Sequence, residues 1–492
     1  MKGPKPLIVV IKLGTSSIVD EKTHEPVLSN LTLIVETAVK LRKDGHRVII
    51  VSSGAIGVGL RRMDVERRPK HLSKLQALAA IGQCRLISLW DSLFEHLRQP
   101  IAQILLTRND IADRSRYINA RNTLMELLEM GVIPIVNEND TLAVAEIKFG
   151  DNDTLSAITA AMVHADFLFL MTDVDCLYDK NPRTHPDAQP IEVVEDIGAI
   201  QADVSSAGSS LGTGGMGTKI VAAELATAAG VTTVITRSSN PGNVLKIVRY
   251  LQANKTTTTT TPTTPSPSRT ATPPITTIAE DRHHRAEEGP LSRSTASLSL
   301  ADANAKEQQR QRQEPPPLHT RFLPLEQPMR DRYFWLLHGL APRGTVYIDR
   351  GAHRALADKA GLLPVGVLGV EGNFAQQEAV RLVVVDRRSG SGSSEEKDGS
   401  GSEKPCWEGT PVEVGRALVN YAAPEIARIK GHRSTQIGAL LGYADTEYVA
   451  YREKISLFRR ESRPASPAPD AIAASALENG GVAGYEAGSA KG

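Results

Sequence analysis

The chain has 492 residues, 41% of them apolar, which is long enough for two or three domains with their own cores. Its 57 lysines and arginines almost balance 56 aspartates and glutamates, and the net charge of +1 excludes a global field that would recruit nucleic acid or an anionic membrane. Three cysteines (Cys84, Cys176, Cys406) without CxxC or Cys/His spacing argue against a disulfide framework or structural zinc, and no run approaches the roughly 18 apolar residues of a membrane span.

The opening MKGPKPLIVVIKLG holds only a short apolar run broken by Lys12, unlike a signal peptide, so a cytoplasmic protein is expected. The first predicted strand, LIVVIKL (7–13), leads from Lys12 into the turn Gly14-Thr15-Ser16-Ser17. A lysine at a strand edge beside small residues offers a cation and backbone N–H donors to an anion. A solvated lysine in an ordinary turn is the plainer alternative on this stretch alone. A helical pattern, NLTLIVETAVKLRKDG, follows, and then the strand HRVIIVSS (46–53) runs into Gly54-Ala55-Ile56-Gly57-Val58-Gly59. These glycines let backbone approach a ligand, and Ser52 or Ser53 could cap the next helix. Their order is wrong for a dinucleotide fingerprint, and no acidic residue ends the next strand, so an NAD site is not expected.

The helical patterns SKLQALAAIGQCRLISLWDSLFEHL and NARNTLMELLEMG precede a third strand, VIPIVN (132–137). It ends in Asn137-Glu138-Asn139-Asp140, and Lys148-Phe149-Gly150-Asp151-Asn152-Asp153 stands ahead of a helix expected near Thr154. One aspartate would suffice as a cap. Asparagines that donate and accept suit a zwitterion such as an amino acid, and spare carboxylates can hold a lysine or contact Mg²⁺. The strand DFLFLMT (166–172) ends in Thr172-Asp173-Val174-Asp175, which reads as a turn, a metal site or a nucleotide contact. The last strand is VTTVIT (231–236).

Between those two strands lies SLGTGGMGTKI (210–220), which has Walker A glycine spacing but carries Thr218-Lys219 in the reverse order. Polar residues precede it where a Walker loop needs a strand. After Lys219, IVAAELATAAG has helical spacing (Val221, Leu225, Ala228 or Ala229) and stops at Gly230. The stretch therefore reads as a loop entering a helix, with phosphate favoured by the first-turn N–H groups, the helix dipole and Lys219. Strand–helix alternation with continuously apolar strands implies an α/β fold, an open mostly parallel sheet sandwiched by helices. In such sheets ligands sit beyond the C-terminal strand ends, where all these polar clusters fall.

Low-complexity stretches at about 254–318 and 387–405, and a tail after about 460, lack the apolar side chains to offset ordering entropy. They suggest a catalytic domain over 5–252, a linker over 253–319, a second domain over 320–456 with an insertion at 387–405, and a tail over 457–492.

In order, VIKLGTSSI, VSSGAIGVG, AAIGQCRLISLW, LLTRND, INARNTL, PIVNENDT, AEIKFGDNDTLSA and GTGGMGTK closely resemble the glutamate 5-kinase family of the amino acid kinase fold. TVYIDRGAHRALADKAGLLPVGVLGVEGNF, RALVNY and GHRSTQIGALLGY resemble a PUA domain, a small β-rich barrel. Gln377-Glu378 departs from the Gly-acidic turn usual there. The resemblance implies ATP-dependent phosphorylation of the L-glutamate side-chain carboxylate, the first step of proline biosynthesis. It places Lys12 and Lys219 on either side of the transferring phosphoryl group, with Asp153 orienting both. Glutamate would be held by Ser53, Asp140 and Asn152. ATP would lie along Lys12, Gly14, Thr172, Asp173 and the loop Thr213, Gly214, Gly215, Met216, Gly217, Thr218, Lys219, with Mg²⁺ bridging its phosphates. Proline as feedback inhibitor, a homo-oligomer and transfer of product to glutamyl phosphate reductase are also implied.

Two alternatives differ in kind. Aspartate and acetylglutamate kinases share the architecture, although the single glycine of KLGTSS together with NEND and KFGDND favours glutamate. An RNA-binding role could use Arg330, Arg332, Arg343, Arg350 and Arg354 of the PUA-like domain, although scattered arginines more often form a solvated face.

Overall fold

A computed structural model describes residues 6–142, 152–200, 215–258, 315–387, 407–444 and 446–458. The chain divides into one unit of Met1–Thr107 with Arg121–Glu326 and a second of Arg108–Ala120 with Gln327–Gly492. Among the described residues no helix is long and apolar enough to cross a membrane.

In the first unit the strands are β1 (Ile8–Leu13), β2 (Arg47–Ser52), β3 (Ile101–Leu106), β4 (Ile133–Glu138), β5 (Phe167–Thr172), β6 (Leu177–Tyr178), β7 (Pro190–Ile191), β8 (Val193–Val194), β9 (Thr232–Arg237) and β10 (Thr320–Phe322). The main sheet has the order β3-β4-β2-β1-β5-β9-β10-β8, and its first six members pair in parallel. β1, β2, β4, β5 and β9 are almost wholly buried, as their unbroken apolar runs require for strands covered on both faces. The helices up to residue 258 are α1 (Leu28–Lys43), α2 (Ala55–Arg62), α3 (Leu72–Glu95), α4 (Arg108–Ala112), α5 (Arg114–Glu129), α6 (Asn152–Met162), α7 (Met216–Ala228) and α8 (Gly242–Thr258), of which α4 and the start of α5 fall in the second unit. Trp90 and Phe94 on α3 are fully buried and anchor that helix to the sheet's core.

Two elements carry no clear signal in the sequence. β3 is an edge strand whose residues are mostly only half-buried, so its pattern is weak, and it begins directly after Pro100. α8 starts directly after Pro241. A third difference concerns α7, whose helical spacing points to an apolar face at Val221 and Leu225. Its buried residues are instead Lys219, Ala222, Ala223, Ala226 and Thr227, and Val221 is exposed. α7 packs on α6, and small side chains let the two helices approach closely while Lys219 turns inward.

α2 and α3 meet backbone to backbone. A Cβ on Gly59 would fall 2.1 Å from the Leu78 carbonyl oxygen, and one on Gly82 would fall 1.7 Å from the Ala55 carbonyl oxygen. Gly54, which leads into α2, has φ +96, a conformation that favours glycine.

β10 follows the low-complexity stretch yet pairs antiparallel with β9 in the first unit's sheet. Thr320 Oγ1 accepts from the Leu177 N–H at 2.7 Å and donates to the Ile191 carbonyl at 2.6 Å. The composition shift at 320 therefore precedes the division between the units, which comes after Glu326. Residues 259–314, most of the expected linker, lie outside the described residues, as do 388–406 and the tail from 459.

The second unit contains β11 (Gly344–Ile348), β12 (Val367–Gly372), β13 (Ala379–Arg387), β14 (Trp407–Leu418) and β15 (Ile455–Leu457) in the order β12-β11-β13-β14-β15. Only the β11–β13 pair is parallel. Val346, Ile348, Val380, Leu382 and Val414 form the heart of its core. Residues 108–120, which the sequence pattern leaves within the first domain's stretch of chain, pack with this second unit. Asp331 accepts from Arg114 at 2.8 Å and from the Tyr117 hydroxyl at 2.7 Å, and Trp335 Nε1 donates to the Ile111 carbonyl at 2.9 Å. Gln377 takes φ +63, which explains why a glycine would serve at that turn. Arg350, one of the arginines available for RNA, pairs with Asp386 at 2.6 Å.

The glycine contact between α2 and α3 has a measurable consequence. Gly82→Ala forces two backbones apart and should cost about 1–3 kcal/mol or more, seen as a thermal midpoint lower by several degrees. Gly242→Ala meets nothing within 4 Å, so it should leave the midpoint unchanged or raise it.

Candidate active site

Three strand and helix ends converge on one carboxylate. Lys12 is the penultimate residue of β1, Asp153 stands in the first turn of α6, and Thr218 and Lys219 lie in the first turn of α7. Lys12 Nζ pairs with Asp153 Oδ1, and Lys219 Nζ lies 3.4 Å from Asp153 Oδ2. The Thr218 hydroxyl donates to the same Oδ2 at 2.8 Å, and its oxygen accepts the Gly215 N–H at 3.1 Å. Lys12, Asp153 and Lys219 are exposed by only 4%, 0% and 7%, so water screens none of these charges well.

The electrostatics follow from this burial. Desolvation would raise the Asp153 pKa, but Lys12 and Lys219 outweigh it and hold the carboxyl down at about 2. Burial and then repulsion from Lys12 push the Lys219 ammonium below the ordinary lysine value, and Asp153 offsets this only in part. Two cations on one anion leave an excess positive charge at the sheet's C-terminal edge, beside the N-termini of α6 and α7. Helix N-termini favour anions. The arrangement is suited to receiving a polyanion.

A polar chain runs alongside. Asn152 Nδ2 donates to Ser53 Oγ at 2.9 Å and to Asn137 Oδ1 at 3.2 Å. Asn137 Nδ2 donates to Gln83 Oε1 at 2.8 Å, and Asn137 Oδ1 also accepts the Glu138 N–H at 2.9 Å. Asn152 Oδ1 is buried and has no partner among the described residues. Asp140 stands two residues beyond β4 in a half-buried turn.

The other expected positions spread along the same edge. Gly14 leads into a 3-10 turn at Thr15–Ser17 and accepts the Ser17 N–H at 3.1 Å. Thr172 closes β5 and donates to Asp173 at 3.0 Å, and Asp173 is paired with Arg183. Gly215 caps α7, and Met216 and Gly217 open it. Thr213 and Gly214 lie outside the described residues. Gln83 and Arg183 carry no functional signal in the sequence. Gln83 falls within a long helical pattern where a polar residue reads as solvent-facing, and Arg183 sits in an exposed turn. Bidentate pairing of Arg237 with Asp175 at 2.7 and 2.8 Å is equally invisible there, because it joins the end of β9 to the bend after β5.

Among the described residues no group of three or more His, Cys, Asp or Glu could hold a metal ion. Asp153, the most buried carboxylate of the site, is already engaged by two lysines and a hydroxyl.

A carboxyl whose folded pKa is lowered contributes stability above its ordinary value of 3.8 and loses it as pH falls toward about 2. That shift corresponds to about 2 kcal/mol. Asp153→Asn should therefore lower the urea midpoint at neutral pH, and its difference from the unsubstituted protein should narrow as pH falls through 3.8. A difference independent of pH would contradict the ion-pair assignment.

The amino acid kinase family matches residues 7–237, and the PUA domain matches residues 344–441. The chain is 50% identical over 452 residues to a probable glutamate 5-kinase of Schizosaccharomyces pombe, covering 91% of this chain and 93% of that protein. It is 45% identical over 459 residues to an uncharacterized protein of Saccharomyces cerevisiae, covering 92% and 98%. It is also 41% identical over 452 residues to the glutamate 5-kinase of Rippkaea orientalis, covering 91% and 98%. With identity of this order along nearly the whole chain, and with both domains present in order, the chain belongs to the glutamate 5-kinase family.

Proposed function

We propose that the protein transfers the γ-phosphoryl group of ATP to the side-chain carboxylate of L-glutamate, producing γ-glutamyl 5-phosphate for proline synthesis. The observation that carries this reading is the pair of buried lysines held by Asp153 at the strand ends. A carboxylate is already ionised at neutral pH, so the nucleophile needs no general base. What must be overcome is repulsion between an anionic nucleophile and an anionic phosphoryl group. Positive charge fixed in a water-poor site meets that need, and positioning supplies the rest.

In this reading Lys12 and Lys219 flank the moving phosphoryl group, and Asp153 keeps both ammonium groups aimed at it. Burial and the neighbouring Lys12 make the charge of Lys219 costly, and an arriving phosphate would offset that cost. Ser53, Asp140 and Asn152 hold glutamate; Gly14, Thr172, Asp173 and the start of α7 hold ATP. Mg²⁺ would enter with the ATP phosphates and neutralise part of their charge, since Asp153 is committed to the lysines. The acyl phosphate product is labile, which favours direct transfer to glutamyl phosphate reductase. Proline inhibition and self-association belong to the same reading.

Two outcomes test it. With ATP, Mg²⁺ and glutamate, hydroxylamine should trap an acyl phosphate, and Lys219→Ala should lose at least about a hundredfold in turnover. Trapping with aspartate but not glutamate would overturn the substrate, and near-normal turnover of Lys219→Ala would overturn its role. The second outcome concerns pH. Phosphate should raise the lowered Lys219 pKa, so nucleotide binding should take up a proton as pH rises above that lowered value. Nucleotide affinity should weaken in the same direction. Calorimetry in buffers of different ionisation enthalpy, at neutral and alkaline pH, reads both effects.

A further inference from the structure

The polar chain from α3 to Ser53 has a direction, and one backbone group sets it. The Glu138 N–H can only donate, and at 2.9 Å it makes Asn137 Oδ1 an acceptor. The Asn137 Nδ2 must then point the other way, where Gln83 Oε1 accepts from it at 2.8 Å. Asn137 Oδ1 also takes one hydrogen of Asn152 Nδ2 at 3.2 Å, and Ser53 Oγ lies 2.9 Å from the same nitrogen. The amide nitrogen of Asn152 is thereby committed to the protein. Its oxygen is left over, buried and without a partner among the described residues. Leaving a buried acceptor unpaired is unfavourable, so this atom is stable in place only because the chain permits no flip.

Gln83 is the far end of that chain, and its own position is set by packing. It follows Gly82, the residue whose missing side chain lets α3 touch the Ala55 carbonyl of α2, just beyond the Ser53-Gly54 turn. Any shift of α3 would move Gln83 and release Asn137.

We propose that Gln83 is a positioning residue for recognition of the substrate's α-ammonium group. It touches no substrate. It holds Asn137, Asn137 holds the Asn152 amide, and Asn152 Oδ1 is presented as an acceptor to a cation. Gln83 thus sets the preference for an amino acid over a dicarboxylate of the same length that lacks the amino group. The inference rests on the reading of Asn152 as an amino-acid contact.

The test uses the full chain in the hydroxylamine-trapping assay, with L-glutamate and with glutarate, its analogue without the ammonium group. Gln83→Met keeps length and volume but removes the acceptor. Gln83→Glu keeps an oxygen that can accept from Asn137. Gln83→Met should raise the KM for glutamate and reduce the glutamate-to-glutarate ratio of kcat/KM by about tenfold to a hundredfold, the range of one hydrogen bond to a charged group. The KM for ATP should not move. Gln83→Glu should keep most of the discrimination. An unchanged ratio in Gln83→Met overturns the inference, and so does a Gln83→Glu variant that loses as much as Gln83→Met, since the oxygen that accepts from Asn137 would then not be what sets the ratio. Should Gln83→Met fail to fold, Gln83→Leu removes the acceptor in its place, and an unchanged ratio in that variant overturns the inference. If the unsubstituted protein phosphorylates another acidic amino acid in place of glutamate, the substrate reading fails separately. The same ratio is then measured on that amino acid and its deaminated analogue, and the same outcomes decide the role of Gln83.

Discussion

A carboxylate withdrawn from water between two ammonium groups is the interaction on which the site depends. Asp153 would be costly to bury alone, and so would either lysine. Together they are tolerable, and the group retains one unit of excess positive charge. Removing Asp153 would leave two buried cations facing each other. The same arrangement thus accounts for the lowered carboxyl pKa and the lowered pKa of Lys219. Lys12 comes from β1, Asp153 from α6 and Lys219 from α7, so the parallel sheet is what brings the three together.

The second requirement is precision along the amide chain beside this cluster, and it is met by close packing. Gly59 and Gly82 let α2 and α3 touch through their backbones, which leaves little freedom in where Gln83 stands. From Gln83 a directed line of amides reaches Asn152, which adjoins Asp153 in sequence. The charged half and the amide half of the site therefore share the first turn of α6. A displacement of α3 would be felt at Asn152, one residue from the charge cluster.

Much of the first unit is legible in the amino-acid sequence. Strands buried on both faces show as unbroken β-branched runs, and β1, β2, β4, β5 and β9 stand within one residue of their expected places. β3 escapes because an edge strand is half-solvated and its pattern is diluted. The face of α7 is misleading because its larger side chains, Val221 and Leu225, are the natural candidates to point inward. Close helix packing prefers the alanines, and Val221 faces solvent. The segment 108–120 and the strand β10 show the same limitation on a larger scale. Composition marks where packing becomes sparse but does not say which body a neighbouring segment joins.

Local sequence determined the ingredients: a lysine at the end of the first strand, a carboxylate in the first turn of one helix, a glycine loop and lysine opening another. Those are properties of short stretches, set by residue type, strand and helix period and turn chemistry. Their meeting is a property of the whole sheet. Only the tertiary structure decided that Lys12 and Lys219 share one carboxylate, that Thr218 donates to it and that Gln83 on α3 accepts from the Asn137 amide on β4. Charge coupling and amide direction act over a few ångströms between residues up to about two hundred positions apart, and local sequence pattern carries no information over that range.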